Sequence, residues 1–448
     1  MEELVKQSLV GSENLNQFFP EALDPETSRR LFQSFVTTCE RFAVLVVQID
    51  DFDGILKQLG ETIASEIVMR LMRITHGLSK TKPIKPVQLS QARFACFCED
   101  MNEDAAVLLA REIQRRLALV GNETVSAGIA VYPFRLFDKP AILDNALKAL
   151  DHAGFFGPNT VTPFDAVSLN ISADKLYQDG DIDGAIREFE KGLMVDPENV
   201  NLQNSLGVCF GVKGKLEAAI DAFERAIRLD PKDLMPVYNL GLAHLKRGDR
   251  ETALRWFLEA HKIDGDIPEV AYQIGMCYRE AGQIDGAIEY LEKAVSKKVR
   301  GAYLFRALGD CYLEKKMLRK AVKAYEKAIK ENPTDAKTLS TLGYLYGALD
   351  ENLEIAIVLC RESITLDADN ALYRVRLGRL YLQKGDCQKA LEQFKLAAEL
   401  GQDSTELILE AQGAPPRRAR GRPHAEAQGR ELIRNSKSEI RNNDRKKI

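Results

Sequence analysis

Three carboxylates, Asp50, Asp51 and Asp53, follow an apolar run at residues 42–47 that continues through Gln48 and Ile49. Carboxylates gathered at a strand end are what a hard divalent cation seeks. A solvated loop is the other reading of the same residues, and the sequence favours it. Cys96 and Cys98 alternate along a strand-like stretch, so both point to one face. A C-x-C pair can ligate a metal, but no second pair or histidine cluster accompanies it to complete a site. Five further cysteines, Cys209, Cys277, Cys311, Cys360 and Cys387, are spaced apart as small buried thiols would be. The run Arg417-Arg418-Ala419-Arg420-Gly421-Arg422 suits phosphates. No aromatic residue interrupts it, so a stacking platform for nucleic acid is missing. Catalytic, cofactor-binding and metal-ligating residues are therefore not expected, and nucleic acid is not the expected partner.

The elements around the carboxylates alternate between strand and helix. Residues 42–47 read as a buried strand and residues 61–78 as an amphipathic helix through Ile63, Ile67, Leu71 and Ile74. Residues 87–89 and 93–98 suggest two strands joined by a tight turn. Residues 104–119 form a helix, 124–131 a strand and 141–153 a helix. Up to Val131 the order is β-α-β-β-α-β, a ferredoxin-like arrangement.

Three stretches of this region carry a resemblance. Val47-Gln48-Ile49-Asp50-Asp51-Phe52 looks like a "DIDxF" strand end. Ser126-Ala127-Gly128-Ile129-Ala130-Val131-Tyr132-Pro133 looks like "SIGVAxYP". Ala146 to Ala153, followed by Gly157-Pro158-Asn159, has the shape of "AD-ALY-AK…GRN". Residues 41–165 thus resemble the GGDEF domain, the catalytic fold of bacterial diguanylate cyclases. The resemblance implies where the chemistry would be, and those positions do not hold it. The signature turn reads Ser90-Gln91-Ala92-Arg93-Phe94. The first metal carboxylate aligns with Gln48. The guanine-reading positions align with Leu56 and Ser65, and the phosphate-binding lysine and arginine with Gly154 and Pro158. The inhibitory RxxD motif would fall at residues 81–84 and is absent. Without metal ligands or cations, the charge of a triphosphate goes unanswered. A degenerate, non-enzymatic domain is expected.

After residue 165 the pattern changes. Leu206-Gly207, Leu240-Gly241, Ile274-Gly275, Leu308-Gly309 and Leu342-Gly343 recur at a constant step, and Leu377-Gly378 follows one residue late. Ala185, Ala219, Ala253, Ala287, Ala321, Ala356 and Ala390 keep the same step, with one residue inserted within 350–353. In the unit at 200–233, Leu206, Gly207 and Phe210 share one helical face, and Ala219, Phe223 and Ala226 another. Gly214 turns the chain between the two helices, and Asp230-Pro231 ends the second. A sustained period of this length means stacked helix pairs. The pattern resembles the tetratricopeptide repeat, with seven units starting near Ala166, Val200, Leu234, Pro268, Ala302, Ala336 and Ala371. Departures are mild: Ser172-Ala173 stands for Leu-Gly in the first unit, and Lys316 and Asp350 replace the turn glycine.

The resemblance implies a concave groove lined by the first helices, with a protein or peptide partner in it. In such repeats the second, fifth, ninth, twelfth and thirteenth positions face the groove. Carried over, they give Asn201, Asn204, Tyr238, Lys246, Tyr272, Arg279, Tyr303, Arg306, Tyr344 and Arg379 as the expected site. A peptide with apolar and acidic residues would suit tyrosines beside cations.

Bulk properties agree. The chain has 448 residues, 45% hydrophobic and 29% charged, as expected of two or more globular domains. The formal net charge is −4, with 11 Lys and Arg against 4 Asp and Glu from Gly413 onward. That basic tail is too polar to build a core, so disorder is expected there. No apolar stretch approaches the ~20 residues that span a bilayer. Residues 1–17 lack the basic start and apolar core of a secretory signal. A cytoplasmic location is expected. The segmentation read from the sequence is a helical segment at 1–40, an α+β, ferredoxin-like and GGDEF-like domain at 41–165, an all-α repeat solenoid at 166–412 and the tail at 413–448. The leading function is an adaptor or scaffold. The alternative is a nucleotide-sensing or cyclase-type signalling protein with an atypical site.

Overall fold

The computed structural model describes residues 25–135, 137–296 and 301–413. The expectations for the first 24 residues and for the basic tail beyond Gly413 lie outside the described residues. The chain divides at Pro231 and Lys232 into two compact units.

The first unit opens with an α+β region. Its elements are α1 (Pro25–Thr38), β1 (Phe42–Ile49), α2 (Phe52–Ser79), β2 (Ile84–Gln88), β3 (Arg93–Glu99), α3 (Glu103–Ala118), β4 (Val125–Tyr132), α4 (Ile142–Ala153) and β5 (Val161–Pro163). The strands form one sheet in the order β2-β3-β1-β4-β5. β1 is antiparallel to both β3 and β4, and β5 is parallel to β4. β1 is central and buried on both faces, which is why it reads as an unbroken apolar run. Phe42, Val44 and Val46 turn to one core with Phe97 of β3 and Ala146 and Leu150 of α4. Ala43, Leu45 and Val47 turn to the other, with Ile67 and Leu71 of α2 and Leu109 and Ile113 of α3. Cys96 and Cys98 share that second core and are buried, as their alternation requires.

Three elements differ from the sequence expectation: α2 and β2 in their extent, and β5, which the sequence does not mark. α2 begins at Phe52 rather than residue 61, with a break at Gly60, whose φ of 82° and ψ of 171° are not helical. The expected helix is the part after that break. β2 begins at Ile84 and contains Pro86. Proline argues against a strand because it cannot donate to the ladder, but β2 is an edge strand, where this is tolerated.

Four repeat helices complete the unit: α5 (Ala166–Gln178), α6 (Ile182–Val195), α7 (Val200–Val212) and α8 (Leu216–Leu229). The core on the α4 side of the sheet continues through Leu169, Ala173, Ala185 and Phe189 to Leu202 and Leu206. Lys148 of α4, with 11% of its side chain exposed, lies 2.7 Å from Glu188 of α6 and 2.7 Å from Asp144. His152 Nδ1 stands 3.3 Å from Ser168 Oγ, and Ser168 caps α5 reciprocally with Asp165. Packing and polar contacts thus tie the first repeat to α4.

Among its described residues, the second unit holds ten helices paired in five repeats, plus a short closing helix. The pairs are α9 (Leu234–Arg247) with α10 (Arg250–Ile263), α11 (Pro268–Glu280) with α12 (Ile284–Ser296), α13 (Ala302–Glu314) with α14 (Leu318–Glu331), α15 (Ala336–Ala348) with α16 (Leu353–Leu366), and α17 (Ala371–Lys384) with α18 (Cys387–Glu399). α19 (Thr405–Ala411) follows. Aspartates start several helices: Asp249 accepts from Thr252 N at 3.1 Å and Asp335 from Thr338 N at 3.3 Å. The repeat's constant residues pack within each pair. Ala253, Phe257 and Ala260 are fully buried, as are Ala390, Phe394 and Ala397. The turn after each first helix is left-handed even where glycine is missing, with φ of 60° at Lys316 and 54° at Asp350.

Candidate functional site

The residues expected to line a groove all stand on the first helices of their repeats. Asn201 and Asn204 are on α7 in the first unit; Asn201 is exposed and Asn204 half-buried. The other eight are in the second unit: Tyr238 and Lys246 on α9, Tyr272 and Arg279 on α11, Tyr303 and Arg306 on α13, Tyr344 on α15 and Arg379 on α17. Tyr272 and Tyr303 meet edge to face, with ring centroids 4.9 Å apart at 87°. Tyr303 remains 37% exposed. Tyr238 packs on Phe257 at 5.7 Å, and its hydroxyl is hydrogen-bonded with the Gln273 side chain. Burial pushes the hydroxyls of Tyr238, Tyr272 and Tyr303 above the ordinary tyrosine range, and the nearby Glu269 carboxylate adds to this for Tyr238 and Tyr303.

The arginines are engaged. Arg279 Nε donates to Glu314 Oε1 at 2.8 Å, and its Nη1 donates to Asp310 Oδ2 at 3.2 Å. Only 12% of the Arg279 side chain is exposed. Burial opposes its charge, but Asp310 and Glu314 outweigh that and hold its pKa above the usual arginine value. Tyr325 Oη donates to the other Asp310 oxygen at 2.6 Å. Arg306 reaches Asp335 at 2.8 Å. Burial raises the Asp335 carboxyl, while Thr338 and Arg306 together hold it below its ordinary value. Tyr344 lies under the guanidinium of Arg376, 5.6 Å from the ring centre.

Several of these partners were not picked out in the sequence. Asp310 and Glu314 occupy the ninth and thirteenth positions of the unit that supplied Tyr303 and Arg306, and Glu269 the second position of its own. The position rule contained them. What it lacked was any sign that Arg279 would find its carboxylates in the next repeat.

At the carboxylate end of β1 the geometry is structural. Asp50 Oδ2 accepts from Thr124 Oγ1 at 2.7 Å and from the Asn159 backbone N–H at 2.8 Å. Asp51 precedes α2 in a left-handed conformation, and Asp53 is exposed. Gln48 pairs with Arg93 across β1 and β3, and Gln48 Oε1 accepts a hydrogen bond from Arg93 Nε. Among the described residues no three His, Cys, Asp or Glu side chains gather as a metal site.

Residues 172–234, 268–296 and 302–335 match tetratricopeptide-repeat models. These segments are tetratricopeptide repeats, and the helix pairs described above are their structural form. No curated protein matches the chain. Among solved structures, it is similar to YrrB, a TPR protein with an unusual peptide-binding site, at 23% identity over 43% of this chain and 99% of that one, with a TM-score of 0.40. It is also similar to MamA, at 30% identity over 37% of this chain and 96% of that one, with a TM-score of 0.34. A TPR protein from Cytophaga hutchinsonii is 21% identical over 54% of this chain and 98% of that fragment, with a TM-score of 0.44. Among the described residues no helix is long and apolar enough to cross a membrane.

Proposed function

We propose that this chain is an interaction adaptor that binds a partner peptide along the first helices of its tetratricopeptide repeats. The observation that carries this reading is the tyrosine pair on α11 and α13. Tyr272 and Tyr303 stand edge to face, and Tyr303 is exposed. The large residues that close each helix pair lie on the second helices, as Phe257 and Phe394 do. Tyr272 packs on the core beside Ala294 and Leu304 and holds the exposed ring of Tyr303 against it; an exposed aromatic so held is the kind of anchor that carries binding energy.

The α+β region is proposed as a GGDEF-like domain without catalysis, within the segmentation 1–40, 41–165, 166–412 and 413–448. Its support is the Gln48–Arg93 contact. An amide bonded to a guanidinium stands where the resemblance calls for metal carboxylates, and a fixed cation there repels a divalent metal. Asp50, the remaining acid, is already held by Thr124 and Asn159.

The experiment is affinity capture with the full chain, followed by titration of the recovered partner against the Tyr303→Ala variant, which removes an exposed ring. At least a tenfold loss of affinity is expected, roughly 1.4 kcal/mol, with the melting curve little moved. Unchanged affinity places the partner elsewhere on the chain.

A further inference from the structure

The charges around the tyrosines are unevenly answered. Arg279 is bound by Asp310 and Glu314 and is largely buried. Arg306 is bound by Asp335. Arg279 cannot turn to a ligand's carboxylate without leaving Asp310 and Glu314 unpaired, and unpaired buried charge is costly; the charge of Arg306 is already balanced by Asp335, which its Nη1 holds. Glu269 is the opposite case. It is exposed at the start of α11, and among the described residues it has no ion pair and no hydrogen bond. Glu269 stands three residues before Tyr272 on α11, and so on the same helix face, and Tyr272 meets Tyr303 at 4.9 Å; the Glu269 carboxylate also helps to raise the Tyr238 and Tyr303 hydroxyls. Met235, 51% exposed on α9, extends the lining with an apolar side chain.

Three aromatic rings beside an unanswered carboxylate favour a cation. Ring faces attract ammonium and guanidinium groups, more strongly as the cation is desolvated. A carboxylate on the ligand would instead meet Glu269 as a like charge, with the charges of Asp310 and Glu314 balanced by Arg279.

Resting on the groove reading above, we infer that the occupant is an extended peptide that sets a lysine or arginine among Tyr238, Tyr272, Tyr303 and Glu269, with apolar residues on either side. Arginines taken as unpaired would ask for an acidic peptide; their pairing within the chain reverses the sign of the partner. The tyrosines then supply affinity, and Glu269 selects against acidic sequences.

The test is selection of a phage-displayed random dodecapeptide library on the full chain, then fluorescence-anisotropy titration of the enriched peptide as a synthetic probe. Enriched sequences should carry Lys or Arg flanked by apolar residues. Glu269→Lys should weaken the probe at least tenfold, and a probe whose basic residue is replaced by glutamate should recover part of the loss on that variant. The Tyr303→Ala variant, which removes the exposed ring and leaves the core-packed Tyr272 in place, should weaken the probe at least tenfold with little change in the thermal melt. Acidic or neutral enriched peptides that need Tyr303 but ignore Glu269→Lys overturn the basic-peptide inference and leave the groove reading standing. Peptides indifferent to Tyr303, or no enrichment at all, overturn both.

Discussion

A Cβ placed on Gly241 would stand 2.6 Å from Cε1 of Phe257, closer than two carbon atoms can approach. The same relationship recurs between Gly207 and Phe223, Gly309 and Tyr325, and Gly378 and Phe394. The glycine of the first helix is the notch into which the ring of the second helix fits. At Gly275 the ring is replaced by Leu291, and at Gly343 by Cys360 together with the Ala356 carbonyl. The notch is needed whichever side chain fills it, because the second helix is pressed against it.

Gly241→Ala should therefore destabilise the second unit by about 1–3 kcal/mol through overpacking. Phe257→Ala in the same chain should cost less than it does alone, because the ring that the new Cβ meets is gone. A double-mutant cycle from denaturant midpoints measures the coupling. Additive effects would show that the glycine and the ring do not compete for the same space.

Lys316 holds a left-handed conformation at the turn where Gly248 and Gly385 stand in other repeats. A side chain with a Cβ is strained there by about 1 kcal/mol, and glycine is not. Lys316→Gly should raise stability by about 0.5–1 kcal/mol, and Gly248→Ala should lower it by a similar amount. Equilibrium unfolding at constant denaturant slope decides both. Stabilisation by Gly248→Ala would contradict the backbone argument.

Burial works to raise the Glu188 carboxyl, but hydrogen bonds from Lys148 and Lys191 outweigh it and hold it below its ordinary value. A depressed folded-state pKa contributes stability that is present above the unfolded carboxylate value. That stability is lost as pH falls through the lowered folded value. The first unit should lose stability below about pH 4.5, and Glu188→Gln should flatten the profile in that acid range. At neutral pH the variant should be roughly 2–3 kcal/mol less stable, at the low end for a broken buried pair because Asp144 still faces Lys148. Thermal melts from pH 3 to pH 7 read both effects.

The purified chain should make no cyclic di-GMP from GTP with magnesium or manganese. The motive is the Gln48–Arg93 bond at the positions where metal carboxylates would be required. Product above a no-enzyme control, abolished by Asp50→Ala, would overturn this reading.

The sequence by itself determined the repeats, because each one is nearly self-contained. The glycine, the alanines and the ring that fill one helix pair all fall within one period, so their spacing is written along the chain. It also determined the central strand, since β1 is buried on both faces and admits only apolar residues. The three-residue β5 was not marked, because Val161–Pro163 is too short to show a period and is specified by its parallel pairing with β4. Only the tertiary structure decided which charges are available. Arg279 looks free in its own repeat and is neutralised by Asp310 and Glu314 of the next. Lys148 looks like an exposed helix lysine and is buried against Glu188. Ion pairs between elements depend on the distance between residues far apart in the chain, and that distance is set by packing, which no local pattern records.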